Sequence, residues 1–248
     1  MAQLSKKEMT IGQILNTSWR FFWDNWKPIA LITIIVYIPL NIFLGIGGWF
    51  LVPAEGPEVL DGMINFMRLN SMLELLLGVV ATMAIAWLVK ARIDKKKITF
   101  GEALKKSMSK WPAAIITTIV MGILVGLLTL LFIIPGLIFA IFWIFTIYVI
   151  LFEDKWLFRA FKGSKEIVRG RWWKVLGFTI VFGVLSFIVS FVAGLPSILV
   201  GLIPNDIVVL VLGVFTDTLI DLSVAYFTVV AAIFYLNMRD TKLVPKSK

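Results

Sequence analysis

The sequence predicts an all-α, polytopic membrane protein with six transmembrane helices, and three observations predict it. Of its 248 residues 60% are apolar, against about 45–50% in a soluble domain. Several apolar runs reach the ~20 residues that cross a ~30 Å hydrocarbon layer. No run shows the ~10-residue alternation of an outer-membrane barrel. The chain reads as a single integral membrane domain over residues 1–248.

Taken in order, the N-terminal MAQLSKKEMTIGQ carries two lysines but no apolar core or small-residue cleavage site beside them, so it is not read as a signal peptide. The first span is Pro28 to Phe50, with Pro28 suited to a first helical turn. The second is about Ser71 to Lys90, the third Pro112 to Ile134 and the fourth Gly136 to Phe152. One helix over 112–152 would be ~60 Å long, so Pro135-Gly136 is expected as the structural turn between antiparallel spans. The fifth span is about Val175 to Leu195 and the sixth about Thr216 to Leu236. Residues 196–215 are apolar but broken by Pro196 and Pro204, with Asn205 and Asp206 as helix N-cap candidates. They read as a re-entrant or surface hairpin; a seventh crossing is the alternative.

Charge argues against that alternative. With six spans, 23 of the 24 cations fall on one side, Arg68 being the exception. The positive-inside rule makes that side cytoplasmic, and a seventh crossing would expel the basic tail. The expected location is the cell membrane, with both termini cytoplasmic. Glu55, Glu58, Asp61 and Asp206 mark the other face. The net charge of +9 is then a cytoplasmic belt that sets topology and attracts anionic lipid headgroups. No nucleic-acid reader is present, and nothing in the chain fixes an oligomeric state.

Before spans one, three and five lies a short amphipathic segment. Ile11, Ile14, Leu15, Ser18 and Phe22 share one helix face, and Phe100, Ala103, Leu104, Ser107 and Trp111 repeat that spacing. Leu157, Ala160, Phe161, Ser164 and Val168 repeat it again. Such helices, with a Trp near the end and cations opposite, lie in the headgroup plane. Hence three cytoplasmic interfacial helices are expected, within a pseudo-threefold repeat of helical hairpins over about 10–91, 99–152 and 156–236.

The chain has no cysteine and no histidine, which removes thiolate nucleophiles, Ser-His-Asp triads, imidazole metal sites and disulfides. No catalytic residue, cofactor or metal is expected. Buried acids are the best pointers to chemistry. Asp217 and Asp221 share one face of the last helix, with Asp221 ~24 Å above Asn237. Glu74 and Thr218 join them as a candidate cavity or ion site facing the bundle interior; the alternative is an outer helix end whose first turn favours acids. Arg159, Arg169, Arg171, Lys174, Trp172 and Trp173 are the candidate headgroup-binding set. Glu153, Asp154, Arg159 and Glu166 are expected as a salt-bridge lattice. Gly122 and Gly126, and Ser186, Ser190 and Gly194, are expected as packing seams within the chain.

IIPGLIFAIFWIFTIYVILFED (Ile133 to Asp154) followed by RAFKGSKEIVRGRWWKVLG (Arg159 to Gly177) resembles the membrane domain of glycerophosphoryl diester phosphodiesterases. It also resembles multi-pass bacterial and archaeal membrane proteins built on that domain. Pro135-Gly136, Glu153, Ser164, Trp172-Trp173 and YLNMR (Tyr235 to Arg239) carry the likeness. In the full enzymes a separate soluble barrel does the hydrolysis, and nothing here is long or polar enough to be it. What the resemblance implies is envelope maintenance, transport or partner anchoring, not phosphodiesterase activity. The expected function is therefore non-enzymatic: handling a lipid, small solute or ion. The alternative is a scaffold that holds a partner protein through the basic face.

Overall fold

Thr10 opens the first helix with a reciprocal cap. Its hydroxyl accepts from the Gln13 amide (3.3 Å), and the Gln13 side chain accepts from the Thr10 amide (2.9 Å). Two otherwise orphaned amides are thus satisfied at once. Thr99 and Glu102 repeat the device. In the computed structural model, which describes residues 7–53, 55–200 and 205–243, these caps begin two members of an all-helical chain. Lys6, Pro204, Lys246 and Lys248 lie outside the described residues.

The order is α1 (Ile11–Asp24), α2 (Trp26–Leu51), α3 (Val59–Ile93), α4 (Phe100–Leu131), α5 (Ile133–Phe142), α6 (Thr146–Glu153), α7 (Phe158–Val168), α8 (Trp172–Val200) and α9 (Asp206–Leu243). Six segments are long and apolar enough to cross a membrane: α2, α3, α4, α5 with α6, α8 and α9. The molecule is a multi-pass helical bundle. Helix α9 is its axis and touches α1, α2, α3, α7 and α8. The most buried stretches are Val79–Val89 of α3, Thr146–Leu151 of α6 and Ala225–Met238 of α9. They place the core in the half of the bundle that carries the cations.

Several boundaries differ from the sequence expectation. The reversal after the third span sits at Phe132, whose backbone is extended (φ −152°, ψ 116°), not at Pro135-Gly136. Pro135 lies in the first turn of α5, where its missing N–H costs nothing. Gly136 is needed for closeness: a Cβ there would stand 2.7 Å from the Thr129 Cα. The amphipathic segment before span three is not a separate helix, because α4 runs unbroken through Pro112. Residues 201–204 lie outside the described residues, and the described parts of the 196–215 stretch extend the two helices that flank it. Helix α8 continues to Val200, and α9 starts at Asp206 with the Asn205 side chain accepting from the Val208 amide (3.1 Å).

The fourth crossing is broken where the sequence shows no Gly or Pro. Between α5 and α6 the helical ladder lapses at Trp143–Phe145. Ser164 of α7 repairs it: the hydroxyl donates to the Phe142 carbonyl (2.7 Å) and accepts from the Phe145 amide (3.1 Å). Backbone polar groups in an apolar interior must find partners, so α7 is held into the bundle by the break it mends.

The small-residue expectation divides. Among the described residues, a Cβ on Gly122 or Gly126 would meet nothing within 4 Å, so that pair forms no seam there. Gly194 does face α9, against Ile220.

Candidate functional site

Three helices meet at the acidic end of the bundle around a cavity of about 400 Å³. Helix α2 brings Asn41, Leu44, Gly45 and Gly48, spaced by three and four so that they share one face. Helix α3 brings Phe66, Asn70 and Glu74 at steps of four, and α9 brings Asp217, Ile220 and Asp221. Gly45 lets α2 and α9 approach, since a Cβ there would collide with Leu210. Depths agree between helices. Asn41 is fifteen residues from Trp26, Glu74 sixteen from Lys90, and Asp221 sixteen from Asn237. At ~1.5 Å per residue each is about 22–24 Å from the basic end, in the far part of a ~30 Å hydrocarbon layer.

The polar side chains of the lining are three carboxylates and two carboxamides. Asp221 is half-buried and accepts from the Asn41 carboxamide at 2.9 Å. Asn41 is only 8% exposed, and its Nδ2 holds that carboxylate in place. The buried Asn70 Oδ1 has no hydrogen-bond partner among the described residues. Asp217 and Glu74, more exposed at the rim, form no ion pair among the described residues. Among the described residues no cation lines the space. Leu44, Phe66 and Ile220 supply apolar wall. Among the described residues no three carboxylates stand close enough to share one metal ion.

Three of the four acids and hydroxyls expected here therefore line one cavity. Thr218 does not: its hydroxyl donates to the Val214 carbonyl of its own helix (2.7 Å). Sequence reasoning missed Asn41 and Asn70. Asn41 carried a signal, being a carboxamide inside an apolar span. Asn70 did not, because α3 begins at Val59, twelve residues before the expected start at Ser71.

The headgroup set is divided by the structure. Arg171 is consumed internally. Its Nη1 donates to Glu8 Oε1 (2.9 Å) and Thr241 Oγ1 (3.0 Å), and its Nη2 to the carbonyls of Ile167 (3.0 Å) and Met238 (2.7 Å). Lys174 donates to the other Glu8 oxygen (2.8 Å). The Lys174 hydrogen bond, and then Arg171, hold the Glu8 carboxyl below its ordinary range despite its partial burial. Trp172 donates to the Ile138 carbonyl (3.4 Å). Arg171 and Lys174 are thus a clasp joining the N-terminal segment to α8 and α9, and Trp172 ties α8 to α5. Arg159 and Arg169 are exposed and Trp173 is 79% exposed. The expected lattice forms with other partners: Glu153 accepts from Lys155 (2.7 Å) and Tyr235 (3.0 Å), and Asp154 pairs with Lys110. Arg159 and Glu166 take no part in it.

A family profile described as a domain of unknown function, DUF7847, matches residues 72–238. The matched stretch includes Glu74, Asp217 and Asp221 and stops short of Asn41 and Asn70. No curated protein and no solved structure matches the chain.

Proposed function

This chain belongs to the family described as a domain of unknown function, DUF7847, and on that footing we propose that it is a non-enzymatic membrane protein that takes up a small organic cation. The cavity at the acidic end is the observation that carries this reading. Its volume is that of a small-molecule site. Asp221 is the counter-ion for a substituted ammonium, oriented by Asn41. Asn70 Oδ1 adds partial negative charge and accepts a hydroxyl where the ligand carries one, Asp217 and Glu74 draw the cation to the rim, and Leu44, Phe66 and Ile220 take its carbon skeleton. An aromatic face near an ammonium adds cation–π attraction. The carboxylates are too dispersed to converge on a bare metal ion, which favours a ligand with some length. A solid apolar bundle would have supported the scaffold reading; a polar cavity that reaches Asp221 supports solute handling.

The same proposal includes location and symmetry. The cations gathered at one end support a cell-membrane protein with both termini cytoplasmic. Ser18, Ser107 and Ser164 are all fully buried, and α1 and α4 begin with matching Thr caps. Both support three copies of one hairpin unit. The third copy has diverged, since Leu157 begins α7 without a side-chain cap. The resemblance to the phosphodiesterase membrane domain stays part of this proposal.

The test is ligand-induced stabilisation of the protein in nanodiscs. Choline and tetramethylammonium should raise its melting temperature, while neutral alcohols of the same size should not. Asp221→Asn should lose the response. Equal stabilisation of wild type and Asp221→Asn, or by neutral and charged probes, would contradict the proposal.

A further inference from the structure

We propose a second, separate site: a phosphate-binding pocket at the corner between α3 and α4, at the basic end. A cavity of about 280 Å³ there is lined by Trp87 and Lys90 from α3, Lys96 and Lys97 from the connection, and Lys106 from α4. Asp94 and Glu102 also reach it, but each is engaged. Asp94 pairs with Lys90 (2.5 Å), and Glu102 accepts from the Thr99 amide and hydroxyl. Lys96, Lys97 and Lys106 form no ion pair among the described residues. Lys106 lies over the Trp87 ring, 4.9 Å from its centroid.

Two features make this more than a solvated basic loop. The corner is rigid. Lys96 donates its amide to the Ala91 carbonyl (2.7 Å) and Lys95 to that of Arg92 (3.2 Å), the two bonds of a Schellman stop. Lys95 itself takes a left-handed backbone, φ 58°, so the following lysines are presented by a fixed turn. The second feature is an unmet donor: the buried Trp87 Nε1 has no partner among the described residues. A buried N–H without an acceptor is costly. An anion with several acceptor oxygens would satisfy it and three ammonium groups together.

Position puts the pocket within reach of the membrane surface. Trp87 stands at the end of the apolar stretch of α3, where indoles and cations meet the headgroup layer. The ligand class is a phosphate monoester or diester, carried by a lipid headgroup or by a soluble phosphate ester.

Native mass spectrometry of the protein released from nanodiscs containing phosphatidylglycerol and phosphatidylcholine tests this, with glycerol 3-phosphate as a parallel soluble arm. Wild type should retain phosphatidylglycerol in preference to phosphatidylcholine. Lys96→Gln/Lys97→Gln/Lys106→Gln should weaken retention on the order of a hundredfold, about fivefold per lysine. Trp87→Phe, which keeps a ring but removes the N–H, should weaken it less. A control removing three exposed cations elsewhere, Arg20→Gln/Lys105→Gln/Lys162→Gln, should retain lipid as wild type does. Competition by glycerol 3-phosphate would make the soluble ester a source, and its failure to compete would make the lipid the source; either upholds the site. Equal loss in the control and the pocket variant, or no loss in the pocket variant, would overturn it. The ammonium response governed by Asp221 is independent of every outcome here.

Discussion

Ser164 shows how one hydroxyl decides a local structure. Ser18 and Ser107 are equally buried, but each donates to a carbonyl four residues back in its own helix, a bond that helps the helix little. Ser164 instead holds two backbone groups of another segment. Ser164→Ala should therefore destabilise the protein by about 1–3 kcal/mol, the cost of leaving buried polar groups unmet. Ser18→Ala should cost less than about 1 kcal/mol. Reversible denaturation in micelles measures both, and equal effects would remove Ser164 from the role of mending the break. The shared serine register was visible in the sequence. Its use in the third segment was not, because the groups it satisfies lie about twenty residues upstream and nothing in FWIFT marks a lapse.

At the scale of elements, hydropathy located every crossing because apolar runs of this length have no other way to be buried. Helix ends were less legible. The stretch LDGMINFMRLN ahead of span two is too mixed to read as membrane, yet it continues α3, and with it Asn70 joins the cavity wall. Pro112 and Pro196 look like breaks but lie inside α4 and α8. A proline forfeits one backbone bond, and a helix otherwise held on both sides carries that loss. Gly122 and Gly126 have the spacing of a packing motif, but spacing does not say what faces it.

The clasp between the N-terminal segment and α8 and α9 belongs to this scale too. Besides the Glu8 pairs, the Met9 amide donates to Asn237 Oδ1 (3.0 Å). Glu8 is charged more readily in the folded protein than free in water. Its contribution is therefore present above the ordinary glutamate range and lost as pH falls through the lowered folded value. Its carboxylate is 41% exposed, so solvent screens the pairs and the effect is modest. Hydrogen exchange of residues 7–10 should accelerate, relative to the intrinsic rate, as pH falls below the ordinary glutamate range. Glu8→Gln should show that faster exchange already at pH 7. Unchanged protection in Glu8→Gln would assign the order of this segment to Met9 and Asn237 alone.

Across the whole molecule, polarity and packing run in opposite directions. The basic half is filled by aromatic and aliphatic contacts, such as the stacked Phe178 and Phe234 rings 3.8 Å apart. In the acidic half the outer parts of α4 and α8 carry exposed side chains, including Ile123, Leu127, Phe187 and Phe191. There α2, α3 and α9 enclose the polar cavity. On the proposed function, a bundle packed tightly at the basic end and polar at the acidic end would take its solute from the acidic side. The absence of cysteine from the sequence makes that directly measurable. In Ile220→Cys, the thiol would be the only one in the protein and would line the cavity. A membrane-impermeant cationic methanethiosulfonate added to the acidic side should modify it faster than an anionic one. Choline should slow the reaction, and adding Asp221→Asn should abolish the charge preference. Equal rates for the two reagents, or no protection by choline, would contradict the account of this cavity as an organic-cation site.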